Sequence, residues 1–149
     1  MVSACKLRVG LVIAALAAAP SFLAASAPAL VTVYKSPTCG CCKAWVRHMQ
    51  ENGFAVEAHD VNDVTPYKKR YGVRSELASC HTAVIGGYVF EGHVPAEDIK
   101  RFLNERPASR GLAVPGMPQG SPGMEGPRAE PYNVLSLDAD GIVQVSANH

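Results

Sequence analysis

Three thiols fall within four residues, Cys39-Gly40-Cys41-Cys42, directly after an apolar, β-branched run. That run, Ala29-Leu30-Val31-Thr32-Val33-Tyr34, reads as a short buried strand, and Ser36-Pro37-Thr38 breaks it. From Cys41 or Cys42 to Asn52 the residues suit a helix, with Gly53 as its C-terminal stop. Cys42, Trp45, Val46 and Met49 recur at helical spacing and share its buried face. The thiols therefore occupy a strand-to-helix junction, a place suited to redox exchange or soft-metal binding. A fourth, Cys80, stands beside His81 in Ser79-Cys80-His81-Thr82.

The rest of the chain extends the same alternation. Residues 54–61 read as a second strand, and Thr65 is expected to cap a helix with Pro66 at its first position, running to about Tyr71. Two apolar runs, Thr82 to Ile85 and Tyr88 to Val94, flank Gly86-Gly87 and predict a hairpin. Pro95-Ala96-Glu97-Asp98 opens a last helix with acidic residues in its first turn and an apolar stripe of Ile99, Phe102 and Leu103. The order β-α-β-α-β-β-α, with cysteines in the first turn, is that of a thioredoxin-like α/β domain: a mixed sheet flanked by helices, over residues 28–106. Pro107 to Pro131 is rich in Pro and Gly and shows no helical or strand period. A final hairpin follows, with strands over Val134–Leu137 and Ile142–Val145 and a turn at Asp138-Ala139-Asp140-Gly141. An ordered hairpin at the far end implies that the Pro/Gly segment wraps over the domain, so that 107–149 packs on the same unit.

The first 27 residues place the thiols in an exported protein. Lys6 and Arg8 precede an almost unbroken apolar run, Val9 to Ala19, and an Ala/Ser-rich stretch follows Pro20. This is the order of a secretory signal peptide, cleaved after Ala25 or Ala27, with an apolar run too short for a comfortable span. Without Lys6 and Arg8 the 14 basic residues become 12 against 13 acidic ones, a formal charge of −1. No basic run remains, so nucleic acid is not an expected partner. An oxidising compartment favours structural disulfides, yet a bridge within so short a loop constrains little of the unfolded chain. The cluster reads as chemistry.

Cys39 and Cys42 are spaced as a Cys-x-x-Cys pair at a helix N-terminus, where unpaired N–H groups favour thiolate. This suits thiol-disulfide exchange, with Cys39 as nucleophile and Cys42 as resolving thiol. Cys41 departs from that pattern, because a third thiol competes for the mixed disulfide. Converging thiolates suit Cu(I), with Zn(II) as borderline competitor. In a thioredoxin-like fold the loop before the third strand faces the first-turn cysteines. There Cys80-His81 supplies a fourth sulfur and an imidazole where a proline is usual. Cys80 could instead simply bridge one of the other cysteines, with His81 a surface loop residue. The thioethers of Met117 and Met124 are further candidate copper ligands, although filling apolar gaps is the better reading for both. His93, close to Pro95, reads as a hydrogen-bonded boundary residue.

The run Thr38-Cys39-Gly40-Cys41-Cys42, with Cys80-His81, Gly92-His93-Val94-Pro95 and Leu112-Ala113-Val114-Pro115-Gly116-Met117-Pro118, resembles the CopG family of periplasmic copper-resistance proteins. The resemblance implies a copper site built from Cys39, Cys41, Cys42 and Cys80, with a thiolate-bridged multinuclear cluster as one form. It also implies a periplasmic role in handling excess copper by interconverting Cu(I) and Cu(II). The implied partners are copper ions and other periplasmic copper-handling proteins. The alternative is a thiol-disulfide oxidoreductase using Cys39 and Cys42.

Overall fold

The computed structural model describes residues 28–138 and 143–149. The leader expected over 1–27, and most of the turn expected at 138–141, lie outside the described residues. The chain runs β1 (Leu30–Lys35), α1 (Gly40–Glu51), β2 (Ala55–Asp60), α2 (Thr65–Arg70), a 3-10 turn (Ser75–Leu77), β3 (His81–Ile85), β4 (Tyr88–Glu91) and α3 (Ala96–Glu105). Three short strands follow: β5 (Gly111–Ala113), β6 (Asn133–Ser136) and β7 (Val145–Asn148). Up to α3 this is the element order that predicted the fold class.

All seven strands join one mixed sheet in the order β2-β1-β3-β4-β5-β6-β7. The β1–β2 and β4–β5 pairs are parallel and the others antiparallel. The parallel β1–β2 pair requires a crossover, and α1 provides it. Because β1 is an interior strand, its alternation buries Val31 and Val33 completely. Trp45 and Met49 of α1 close over them, and Ile99 and Phe102 of α3 enter the same core with Phe90. Each such side chain contributes about 1.5–3 kcal/mol by leaving water. Trp45 also satisfies its indole N–H on the Val94 carbonyl at 2.9 Å, which fixes α1 against the end of β4.

The helix ends follow from local chemistry. The Cys39 sulfur accepts the Cys42 N–H at the start of α1. At its end, Phe54 N–H returns to the Met49 carbonyl and Gly53 N–H to the Gln50 carbonyl, the Schellman arrangement that glycine permits. The expected Thr65 cap is corrected: Thr65 is already helical, and its own N–H is taken by the Asp63 carboxylate at 2.8 Å. Asp63, two residues earlier, does the work expected of the threonine hydroxyl. Pro95 precedes α3 without a side-chain cap, but the Ala96 N–H donates to His48 Nε2 at 3.1 Å, so α1 caps α3. Burial lowers the His48 pKa and favours the neutral ring that this bond needs.

Two further corrections concern the C-terminal third. The stretch expected to lack regular structure contains β5, which pairs with β4 and β6. Its three residues are too few to display alternation, and Gly111 is needed there because a Cβ would lie 1.6 Å from the Val89 carbonyl oxygen. Of the second strand expected over 142–145, residue 142 lies outside the described residues, residues 143–144 are not in a strand, and β7 begins at Val145. An irregularity at Val134/Leu135 shifts the register, and reciprocal bonds between Tyr132 and His149 fix it. No helix among the described residues is long and apolar enough to cross a membrane.

Candidate metal centre

The carboxyl end of β1 delivers the chain into the first turn of α1, and the turn gathers the sulfurs. Cys39 and Cys42 are joined in a disulfide, with Cα atoms 5.3 Å apart. Cys41 is a free thiol whose Sγ lies 3.4 Å from that of Cys39. Cys42 is fully buried beneath the turn, 3.9 Å from the Cys80 carbonyl oxygen. Cys80, also a free thiol, completes the set, and all four sulfurs lie within 4.8 Å of one another. Such a group could hold a metal ion.

A buried carboxylate holds Cys80 in place. Glu91, at the end of β4, is 0% exposed. One of its oxygens accepts the Ser79 N–H at 2.6 Å and pairs with Lys68 of α2, while the other accepts the Thr82 hydroxyl at 2.7 Å. The Lys68 ammonium also reaches the Thr82 hydroxyl at 3.2 Å. Three elements thus meet on one carboxylate next to the cysteine. Gly92, with φ +72°, lets the Ser79 side chain lie close, since a Cβ there would sit 2.5 Å from it.

Two imidazoles complete the arrangement. His81 Nδ1 lies 3.3 Å and His93 Nε2 3.0 Å from the Cys80 sulfur. Both rings are fully buried, and the three residues form a second group that could hold a metal. His93 Nδ1–H donates to the Pro122 carbonyl at 2.8 Å, which leaves Nε2 with its lone pair toward the sulfur. His81 Nε2 is a buried nitrogen with no hydrogen-bond partner. Burial holds the His81 pKa well below its usual range, and His93 and Lys68 add to the effect. Burial also lowers that of His93. Both shifts favour the neutral ring, the form in which imidazole binds metals. Burial, and secondarily Cys41, push the Cys80 thiol up to about 12, so a metal that takes this sulfur must displace its proton.

The Pro/Gly segment lies across this face. Gly123 packs so closely on α1 that a Cβ would come within 2.7 Å of the Cys41 carbonyl oxygen and 2.8 Å of the Trp45 nitrogen. Gly116 N–H donates to the Ala78 carbonyl, and the Ser79 hydroxyl donates to that of Gly116. The segment thus braces the Cys80 loop on one side and the helix turn on the other.

The expected residues Cys39, Cys41, Cys42, Cys80 and His81 all meet here. His81 opens β3 and is fully buried, which corrects the alternative in which it is a surface loop residue. Met117 is 52% exposed and Met124 half-buried in the Pro/Gly segment, so Met117 plugs no apolar gap. His93 has the hydrogen bond expected of a boundary residue, but sequence reasoning missed its place beside Cys80. Its signal was indirect: the β3–β4 hairpin returns the chain so that the residues just after β4 lie beside those just before β3.

Comparison with known proteins bears on the same residues. The family described as "Protein of unknown function, DUF411" matches residues 77–124, which include Cys80, His81, His93 and much of the Pro/Gly segment. No curated protein matches the chain. Two solved structures do, described as copper resistance protein copG, form 2 and form 1. Each is 47% identical to this chain and covers 82% of it and 98% of its own length, with TM-scores of 0.78 and 0.77. At that identity and coverage, the chain belongs to the CopG family of copper resistance proteins.

Proposed function

We propose that this chain is a periplasmic copper-binding protein of copper resistance, holding Cu(I) through the thiolates of Cys39, Cys41, Cys42 and Cys80. The observation that carries this reading is the convergence of four sulfurs within 4.8 Å, with two buried imidazoles beside one of them. Thiolates from one helix turn and a facing loop are soft donors, and soft donors select Cu(I). Four clustered thiolates can bridge several ions, which favours a small multinuclear cluster. His81 and His93 are auxiliary ligands at the Cys80 corner, and their nitrogens also suit Cu(II). The signal-like order of residues 1–27 supports export to the periplasm. Residues 28–106 and 107–149 act as one unit in this reading, because β5 and β6 continue the sheet. The partners are copper ions and other copper-handling proteins of that compartment.

The Cys39–Cys42 pair, found here as its disulfide, gives the site an electron store when it is reduced to the dithiol. When the Cys39 and Cys42 thiols reduce two Cu(II) ions, their two S–H bonds break and one S–S bond forms. Each Cu(II) gains one electron, and two protons leave to water. This interconversion of Cu(II) and Cu(I) is the redox part of the proposal.

The observed Cys39–Cys42 disulfide at a helix N-terminus also favours a second reading, thiol-disulfide exchange with proteins or small thiols. Anaerobic Cu(I) titration of the fully reduced protein against a chromophoric chelator, followed by metal analysis, separates the two. The copper reading predicts tight binding of more than one Cu(I) per chain, with the stoichiometry reduced in Cys41→Ser. Weak binding, together with unimpaired disulfide exchange in Cys41→Ser, would establish the exchange reading instead.

A further inference from the structure

We propose that Cys41 and Cys80 form a second dithiol–disulfide couple, so that the reduced site carries four electrons for cupric ion rather than two. The inference rests on the copper reading above and extends it from one cysteine pair to two.

The pairing follows from which sulfurs are already used. With Cys39 and Cys42 bonded to each other, Cys41 and Cys80 are the thiols left over among the described residues. The nearest sulfur to Cys41 is that of Cys39 at 3.4 Å, but it already has its partner. Cys80 is the remaining sulfur of the group, all of whose members lie within 4.8 Å. Closing that gap to a bond length of about 2.0 Å needs a shift of the Cys80 loop toward the first turn of α1. The two elements already touch, because the Cys42 sulfur lies 3.9 Å from the Cys80 carbonyl oxygen. A Cys41–Cys80 bridge would tie α1 to the loop before β3. It closes a far longer loop than Cys39–Cys42 and so confines the unfolded chain more strongly.

The chemistry balances without a further reagent. The S–H bonds of Cys41 and Cys80 break and one S–S bond forms. Two Cu(II) ions each take one electron and become Cu(I), and two protons pass to water. Together with the Cys39–Cys42 step, a fully reduced chain converts four Cu(II) to four Cu(I) and ends with two disulfides. In that state no thiolate of the cluster remains to hold Cu(I), so complete oxidation also ejects the product.

The test is a single-turnover count. Fully reduced, metal-free protein is mixed anaerobically with excess Cu(II) and a chromophoric Cu(I) chelator, and the disulfides are then mapped on peptides. The expected result is four Cu(I) per chain and an intramolecular Cys41–Cys80 link. Cys41→Ser and Cys80→Ser should each release about half as much Cu(I), and Cys39→Ser/Cys42→Ser should release half through Cys41–Cys80 alone. Treatment of metal-free wild-type protein with diamide should give the same two links. Two Cu(I) per chain with Cys41 and Cys80 still alkylatable would overturn the second couple, as would Cys41 or Cys80 linked between chains. If that result accompanies tight Cu(I) binding in the separate titration, the copper reading stands without this extension. Absence of both Cu(II) reduction and Cu(I) binding sinks the two together.

Discussion

Cys80→Ser is expected to weaken Cu(I) binding by roughly 100-fold or more, since loss of even an outer-shell partner typically costs 10–100-fold. Cys80 belongs to both candidate groups, the four sulfurs and the Cys80–His81–His93 set. Its removal therefore takes a corner from each. A serine hydroxyl of similar size is a hard donor and does not replace a thiolate for Cu(I). The Cys39–Cys42 disulfide and the apolar core are untouched, so folding should survive the change. Competition titration against a Cu(I) chelator gives the affinity, and circular dichroism confirms the fold. Unchanged affinity and stoichiometry would remove Cys80 from the ligand set.

The second large effect is expected at Glu91, away from any sulfur. Glu91→Ala should destabilise the protein by about 3–5 kcal/mol, the usual cost of breaking a buried ion pair by deleting one partner. The deletion takes the shared acceptor from the Ser79 N–H, the Thr82 hydroxyl and the Lys68 ammonium at once. Lys68 is left with a single neutral partner in Thr82, in surroundings where its side chain is only 12% exposed. A loss of that size lowers the melting temperature by roughly 10–20 °C. Cu(I) affinity should fall as well, because Ser79 immediately precedes Cys80. Glu91→Gln keeps an acceptor for Ser79 and should retain more of both properties. A change in stability below about 0.5 kcal/mol in Glu91→Ala, the range of ordinary surface substitutions, would show that the network does not hold the loop.

Glu91 also marks where reading the sequence stops. Glu91 falls inside the run read as the second strand of the hairpin, with nothing local to mark its carboxylate as buried, and Lys68 looks like a helix-surface lysine. Their burial arises only when α2 folds over the β3–β4 hairpin, which no local pattern encodes. Lys35 behaves similarly: it ends an apolar strand, is 4% exposed and pairs with Asp60 on the neighbouring β2. Features carried by local chemistry were legible. The stop of α1 at Gly53, the Gly86-Gly87 hairpin and the placing of three cysteines in a helix turn follow from glycine geometry and apolar spacing. Tertiary pairings were not. β5 is three residues long, and the register of β7 is fixed by Tyr132–His149 bonds between residues that lie just outside both strands. His93 was discounted because Pro95 gave it a boundary role. That role is real, and the same position after β4 also turns its ring toward Cys80.

Sulfur from both sides of this site should hold the copper. Copper K-edge extended X-ray absorption on the reduced, Cu(I)-loaded protein tests it most directly. The expected first shell is dominated by sulfur, with a smaller nitrogen contribution and scattering from copper neighbours bridged by thiolates. A shell of nitrogen and oxygen alone would contradict it.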